Sequence, residues 1–276
     1  MRLTAMLLLM FVRCSAPELN DPFSMRPSPS DGDKLDGDSH VDLGDDASVG
    51  DRSGVQGLAG VWARLQVLVS TGQHIFGEVT TTVTSTERLV IDEGDNGYVL
   101  SATPCAVAIE NTPGVGVRSI ISDAYLEALG TKVSGAEVVG GYYHEALAIE
   151  LQGVNLADPA NDELPDDPLD ERVIDQDEDG HPGMTVFLTG IVSGELYVIQ
   201  RTFTELAGTV DVETGTGLGS ITWSSQQRTL GSTPATLAQF APDDGTPSAA
   251  ESVFRMRRVE SNTDCPTIVA NADQWF

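Results

Sequence analysis

Asp175, Asp177 and Asp179 alternate along the chain and run directly into Gly180 and His181. Carboxylates at every second position converge on one point when the backbone curls, and glycine permits the sharp reversal. Carboxylate and carbonyl oxygens are the donors that a hard cation takes, which points to Ca2+. In such a loop Asp175, Asp177 and Asp179 would give side-chain oxygens, and His181 its backbone carbonyl. The triplet closes a stretch, Asp158 to Asp179, that holds eleven acids in twenty-two residues and shows no apolar periodicity. Further ligands would come from the same stretch, with Asp170, Glu171 and Glu178 as the candidates. The expected role of calcium is structural: it would order the insertion by neutralising carboxylates that otherwise repel.

This spacing resembles the first half of an EF-hand loop. More broadly it is similar to the Asp-x-Asp-x-Asp-Gly loops of thrombospondin type 3 repeats and dockerins. The twelfth position is Val186, where an EF-hand carries a bidentate glutamate, and a strand pattern follows instead of a helix. The resemblance therefore implies a brace of the extracellular kind, with a dissociation constant of about 10⁻⁴ to 10⁻³ M or weaker.

Other chemistry is thinly signalled. His144-Glu145 begins like a zinc-protease helix, but the second ligand position is Ala148. There is no Gly-x-Ser-x-Gly elbow, no Cys-x-x-Cys and no Cys/His cluster. Gly215, Gly217 and Gly219 lie in a Gly-rich run with no βαβ pattern around it, so a β turn is expected there and not a phosphate loop. His40 falls in the linker and His74 at a strand-turn edge. The chain is expected not to be an enzyme; a hydrolase built on two carboxylates is the third reading after two binding roles.

The formal charge of −27 excludes nucleic acid as a partner and charge-driven adsorption to anionic lipid. The membrane is expected to be reached only through a lipid anchor. Arg2 followed by the apolar run Leu3 to Val12 has the length of a signal-peptide h-region and is too short to span a bilayer. Phe11-Val12-Arg13-Cys14 resembles a lipobox, with Arg13 where a small uncharged residue is usual. That resemblance implies lipidation of Cys14. Cys105 and Cys265 then form an even pair, expected as a disulfide in an oxidising compartment. The alternative is two free buried thiols. From Glu18 to Arg52 there are ten acids against three bases, too little apolar surface to fold on. The organisation is thus a signal peptide with lipobox over 1–14, a disordered acidic linker over 15–53, and one β domain over 54–276.

The domain must position these groups with strands. Val61, Ala63, Leu65, Val67 and Val69 fall on one face, and Trp62, Arg64 and Gln66 on the other. The same alternation recurs at Leu147, Ile149 and Leu151, at Val210 and Val212, and over Val253 to Val259. Met184 to Val192 is apolar on both faces and reads as a central strand. Asp95-Asn96-Gly97, Gly140-Gly141 and Ser193-Gly194 read as turns between strands. Only Ser122 to Leu129 reads as a helix, capped by Ser122 and ended by Gly130. Ten to twelve strands in one domain predict an all-β fold, either an antiparallel barrel or a two-layer sandwich, with one short helix and a long acidic loop.

Gly60-Val61-Trp62 opens the first strand and looks like the Gly-x-Trp of lipocalins. That likeness implies a Trp plugging the closed end of an eight-stranded barrel, with Arg257 or Arg258 packed on its ring. The stretch Asp175 to Gly190, together with Cys105 and Asp264-Cys265, resembles a group of uncharacterised predicted lipoproteins of the myxobacterial type. That resemblance implies an envelope location and a metal-binding loop, and no particular activity. The expected protein is a monomeric, calcium-stabilised β domain in the cell envelope, periplasmic or on the outer membrane through its anchor, or secreted. Its role would be to bind an envelope protein or to serve structure; the alternative is a lipocalin-like carrier of a small apolar ligand.

Overall fold

The structure, a computed structural model, describes residues 57–74, 77–112, 114, 116–240 and 244–276. The segments expected as signal peptide and linker, with Cys14 and His40, lie outside the described residues, as does the side chain of His74. No helix among the described residues is long and apolar enough to cross a membrane.

Eleven strands form one antiparallel sheet. They are β1 (Gly60–His74), β2 (Gly77–Gly94), β3 (Gly97–Thr112), β4 (Val117–Ile120), β5 (Lys132–Val139), β6 (Tyr142–Gln152), β7 (Met184–Gly190), β8 (Gly194–Asp211), β9 (Thr216–Thr233), β10 (Thr246–Pro247) and β11 (Val253–Arg258). Two helices, α1 (Asp123–Ala128) and α2 (Cys265–Trp275), complete the set, with a 3₁₀ turn over Ala235–Phe240. Eight strands close a ring in the order β1-β2-β3-β5-β6-β8-β9-β11, and β11 pairs back on β1. The ring runs in sequence order, so this is an up-and-down barrel and not a sandwich; it closes through paired strands at one end, where β3 pairs β5 over Tyr98–Ala102 and β9 pairs β11 over Thr216–Ser220. β8 pairs β7 through Gly194–Val198 and β6 through Gln200–Thr209. β7 therefore leaves the ring as a flap, flanked by β8 and β4. It has neighbours on both sides, as its two apolar faces require, but it is not part of the barrel wall.

The turns form where local chemistry favours them. Residues 95 and 96 turn between β2 and β3, and Gly140 and Gly141 join β5 to β6 at φ 61 and 84. Both angles lie in the left-handed region that side chains avoid. Gly215 to Gly219 does belong to a hairpin, β8 to β9.

Period two gave the faces of β1, but the barrel interior takes the polar one. Trp62, Arg64, Gln66 and Leu68 point inward, and Ala63 and Val69 are buried from the other side. Val69 is covered because the segment before β11 crosses it: Ser248 N–H donates to the Val69 carbonyl, and Val69 N–H donates to Ser252 Oγ. One end of the ring is packed solid around Leu58, Trp62, Leu89, Leu100, Tyr143 and Phe254. Arg258, and not the exposed Arg257, lies 4.7 Å over the Trp62 ring, and the Trp62 indole donates to the Leu58 carbonyl. Gly219 makes room for this plug, since a Cβ there would lie 2.6 Å from the Phe254 ring.

Cys105 is the extra residue of a β-bulge: Thr86 pairs Ala106 while Glu87 pairs Pro104. It is bonded to Cys265, with the two Cα atoms 5.0 Å apart and 160 residues apart in sequence. Closing so long a loop stabilises by roughly 5 kcal/mol at most in the chain-entropy view. Ser122 caps α1 as expected, its hydroxyl accepting from Tyr125 N–H. α2 was not expected. Asp264 caps it by accepting from Thr267 N–H, Pro266 sits in its first turn, and Ile268 is its one buried residue.

Candidate functional site

Above the Trp62 plug the barrel is hollow. A cavity of about 630 Å³ extends from the ring interior to the inner side of the β4–β7 flap and α1. Wells of about 300–1,000 Å³ are the usual size of small-molecule sites. Leu68, Val83, Val107, Ile109, Leu206 and Trp223 supply the ring's apolar lining, and Ile121, Val186 and Leu188 that of the flap. Hydroxyl and amide groups such as Ser85, Asn111, Gln200 and Thr202 interrupt it. The wall thus mixes apolar side chains with hydrogen-bonding ones in comparable measure.

The floor is ionic. Arg64, only 5% exposed, donates from Nε to Glu87 Oε2 at 2.7 Å and from Nη1 to Glu145 Oε1. Gln66 donates to the same Glu87 oxygen at 2.8 Å. The hydroxyls of Tyr143 and Ser134 donate to Glu145. Glu145 thus accepts from three side chains, Arg64, Tyr143 and Ser134. Burial pushes the Glu87 carboxyl up, but the Arg64 guanidinium and the Gln66 amide outweigh it and hold it below its ordinary range. Burial lowers Arg64, yet Glu145 and Glu87 more than reverse that, so its charge is fixed. Burial, with Glu145 next, drives the Tyr143 hydroxyl well above its ordinary value and keeps it a donor. Higher on the wall Lys132 pairs with Glu150.

Sequence reasoning placed none of these residues in a site. Arg64 was visible only as a polar residue opposite an apolar face, and its partners are 23 and 81 residues away. His144 and Glu145, which began like a zinc motif, sit on opposite sides of β6. Glu145 joins the floor, and His144 Nε2 lies 2.8 Å from Glu205 on the partly exposed side.

The acidic insertion, residues 153–183, packs on the outside of β8. Ile199 is fully buried against Val154 and Leu164, and Arg201 donates to the carbonyls of Pro159 and Asp162 at 2.9 and 2.8 Å. The His181 ring stacks on Tyr197 with centroids 4.1 Å apart. Within the insertion, oxygens of Asp175, Asp177 and Asp179 lie within 4.8 Å of one another. Asp175 accepts from the amides of Asp179 and Gly180, and Asp179 from the amide of His181. These bonds curl the chain as the alternating pattern requires, with Gly180 at φ 88.

Asp177 differs from its neighbours in being 8% exposed. Its Oδ2 accepts from Thr185 N–H at 2.9 Å, while its Oδ1 is buried and has no hydrogen-bond partner among the described residues. Burial raises its carboxyl; the Thr185 amide opposes that, and Asp179 and Asp175 add to the rise. A buried acceptor left bare costs about 1–3 kcal/mol, more when charged, and a cation between the three carboxylates would satisfy it. The three oxygens fit Ca2+ chemistry.

Of the other candidate ligands, Asp170 is engaged by Arg172, whose Nε and Nη2 reach its two oxygens at 2.9 and 2.8 Å. Glu171 and Glu178 are exposed, Glu178 with φ 57. Val186, in the twelfth position, lines the cavity instead. Gln176, between two of the aspartates, ties the loop to the barrel: it donates to the Ala128 carbonyl at the end of α1 and accepts from Gly153 N–H.

No family model, curated protein or solved structure matches this chain.

Proposed function

We propose that the chain is an exported binding protein whose barrel carries a small, largely apolar ligand. The observation that carries this reading is the 630 Å³ cavity that the strands surround above a solid plug, with apolar side chains along much of its wall. Export rests on the N-terminal apolar run, and the Cys105–Cys265 bond is compatible with it, since disulfides persist mostly in oxidising compartments. Anchoring through Cys14 is part of the same proposal. Titration with the neutral apolar dye N-phenylnaphthylamine tests it. Saturable binding with one dye per chain is expected, and its loss in Val83→Trp, which fills the cavity from β2. Absence of saturable binding, or binding that Val83→Trp leaves intact, overturns the reading.

A second element has its own support. Ca2+ held by Asp175, Asp177 and Asp179 would brace the wall from outside, as the bare Asp177 oxygen and the Thr185 amide at the start of β7 suggest. Its role is structural, and the carrier reading does not depend on it. A hydrolase is disfavoured, because Arg64 holds both floor carboxylates and Glu87 lies below its usual range, the opposite of what a general acid needs.

A further inference from the structure

We propose that the cavity selects ligands with a cationic polar end, an alkylammonium group above all, and discriminates against carboxylates. This rests on the carrier reading above and adds a ligand class to it.

The inference comes from charge balance inside the barrel. Arg64 and Lys132 are the cations of the lining, set against Glu87, Glu145, Glu150 and Asp244. Lys132 is matched by Glu150, and Asp244 lies 4.0 Å from Arg228, which is nearer to Asp166 at 3.0 Å. At the floor one guanidinium is shared by two carboxylates, which leaves one negative charge without a counter-charge. Both carboxylates are nearly buried, with 12% and 7% of their side-chain surface exposed. In such surroundings an unbalanced charge acts on a ligand several times more strongly than it would in water.

Acceptor capacity remains as well as charge. The two donors that reach Glu87 both go to Oε2, and no donor reaches its Oε1 among the described residues. Glu87 lines the cavity, so that oxygen can take an ammonium hydrogen from a ligand. A carboxylate ligand would meet Arg64 with Nε and Nη1 already engaged, and would stand beside two like charges. The apolar body of either ligand would lie along Leu68, Val83 and Val107. Selection at this floor is therefore electrostatic, while the apolar side chains of the wall contribute affinity without regard to the polar end.

Three probes of equal chain length separate these contributions: decylamine, decanol and decanoate, each displacing N-phenylnaphthylamine from the full chain at fixed salt and neutral pH. Displacement reports the cavity and ignores amine adsorbed on the acidic surface. The expected order is decylamine tightest and decanoate weakest, with the amine ahead of the alcohol by about tenfold or more, as a hydrogen bond to a charged group implies. Glu87→Gln should cut that preference about tenfold while decanol affinity stays, and Glu145→Gln is the parallel variant should the first not fold. Equal affinities, or decanoate tightest, overturn the inference and leave the carrier reading standing. A preference that survives undiminished in both variants overturns the assignment to these carboxylates. If the dye itself fails to bind, the carrier reading falls, and this inference with it.

Discussion

The two ends of the barrel are built from the same strands and are opposite in kind. Along the inner face of β1, Trp62 is fully buried among packed side chains, and Leu68, six residues on, touches that cluster on one side and borders the cavity on the other. Between them Arg64 and Gln66 meet Glu87 and Glu145. The closed end follows the ordinary rule of a core in that its apolar volume is filled and the Trp62 indole has its partner, with Arg258 Nε the one exception beside it among the described residues. The open half departs from it, since hydroxyls, amides and charges line space that side chains do not fill. A protein under selection for stability alone would have filled that space. The difference separates the part of the barrel that holds the fold from the part to which the carrier proposal assigns binding.

That comparison can be broken most directly at the plug. Trp62→Ala should cost about 4–5 kcal/mol, read as a fall in urea midpoint, because the ring is fully buried and loses both the Arg258 stack and its bond to Leu58. A cost under about 1 kcal/mol would mean that the closed end is no more essential than the open one. The next effect lies at the boundary. Arg64→Met should cost about 3–4 kcal/mol at neutral pH by stranding two buried carboxylates. Its pH dependence should also reverse. In the unaltered chain Glu87 is held below its ordinary value, so its contribution is full above an unfolded value of about 4.3 and is lost as pH falls through the folded one. In the variant the carboxyls lose their counter-charge and rise, so stability should recover as pH falls. Parallel urea titrations between neutral and acid pH check the sign.

The halves were unequally legible in the sequence. Strands and turns were readable because their signals are local: Asn96-Gly97 and Gly140-Gly141 dictate where the chain reverses whatever surrounds it. The plug was readable in outline from Gly60, Trp62 and a late arginine. The face that turns inward was not. Period two separates the faces of β1 without saying which one the ring encloses, and the apolar face is covered by a segment almost two hundred residues later. The ionic floor depends on the same closure, so no window of sequence contains it. α2 was missed for another reason. Its signals, Asp264 and Pro266, were present, but with Ile268 alone buried it has little apolar stripe to reveal it. In the acidic loop the convergence of the three aspartates was legible from spacing, whereas the capture of Asp170 by Arg172 was a competition that spacing does not show.

A smaller effect concerns the wall that the insertion braces. At about 1 mM calcium, binding to the folded state adds roughly 1.4 kcal/mol for a dissociation constant of about 10⁻⁴ M and roughly 0.4 kcal/mol for one of about 10⁻³ M. The urea midpoint should rise by that equivalent over chelator, and Asp177→Asn should remove the rise. The same midpoint with calcium and with chelator would reduce the loop to an acidic surface turn.

The smallest stability effect should come from the hollow half. Leu68→Ala removes side-chain volume that already borders the cavity, so the change enlarges an existing space instead of opening a new one in packed surroundings. Fewer contacts are forfeited than at a filled site, and the cost should stay below about 1 kcal/mol, against the 2–5 kcal/mol of a Leu→Ala change in a packed core. Binding should respond the other way. Dye affinity should weaken measurably, because Leu68 faces whatever occupies the space. A variant with full dye affinity and a large loss of stability would place Leu68 with the plug, and would move the boundary between the two halves above it.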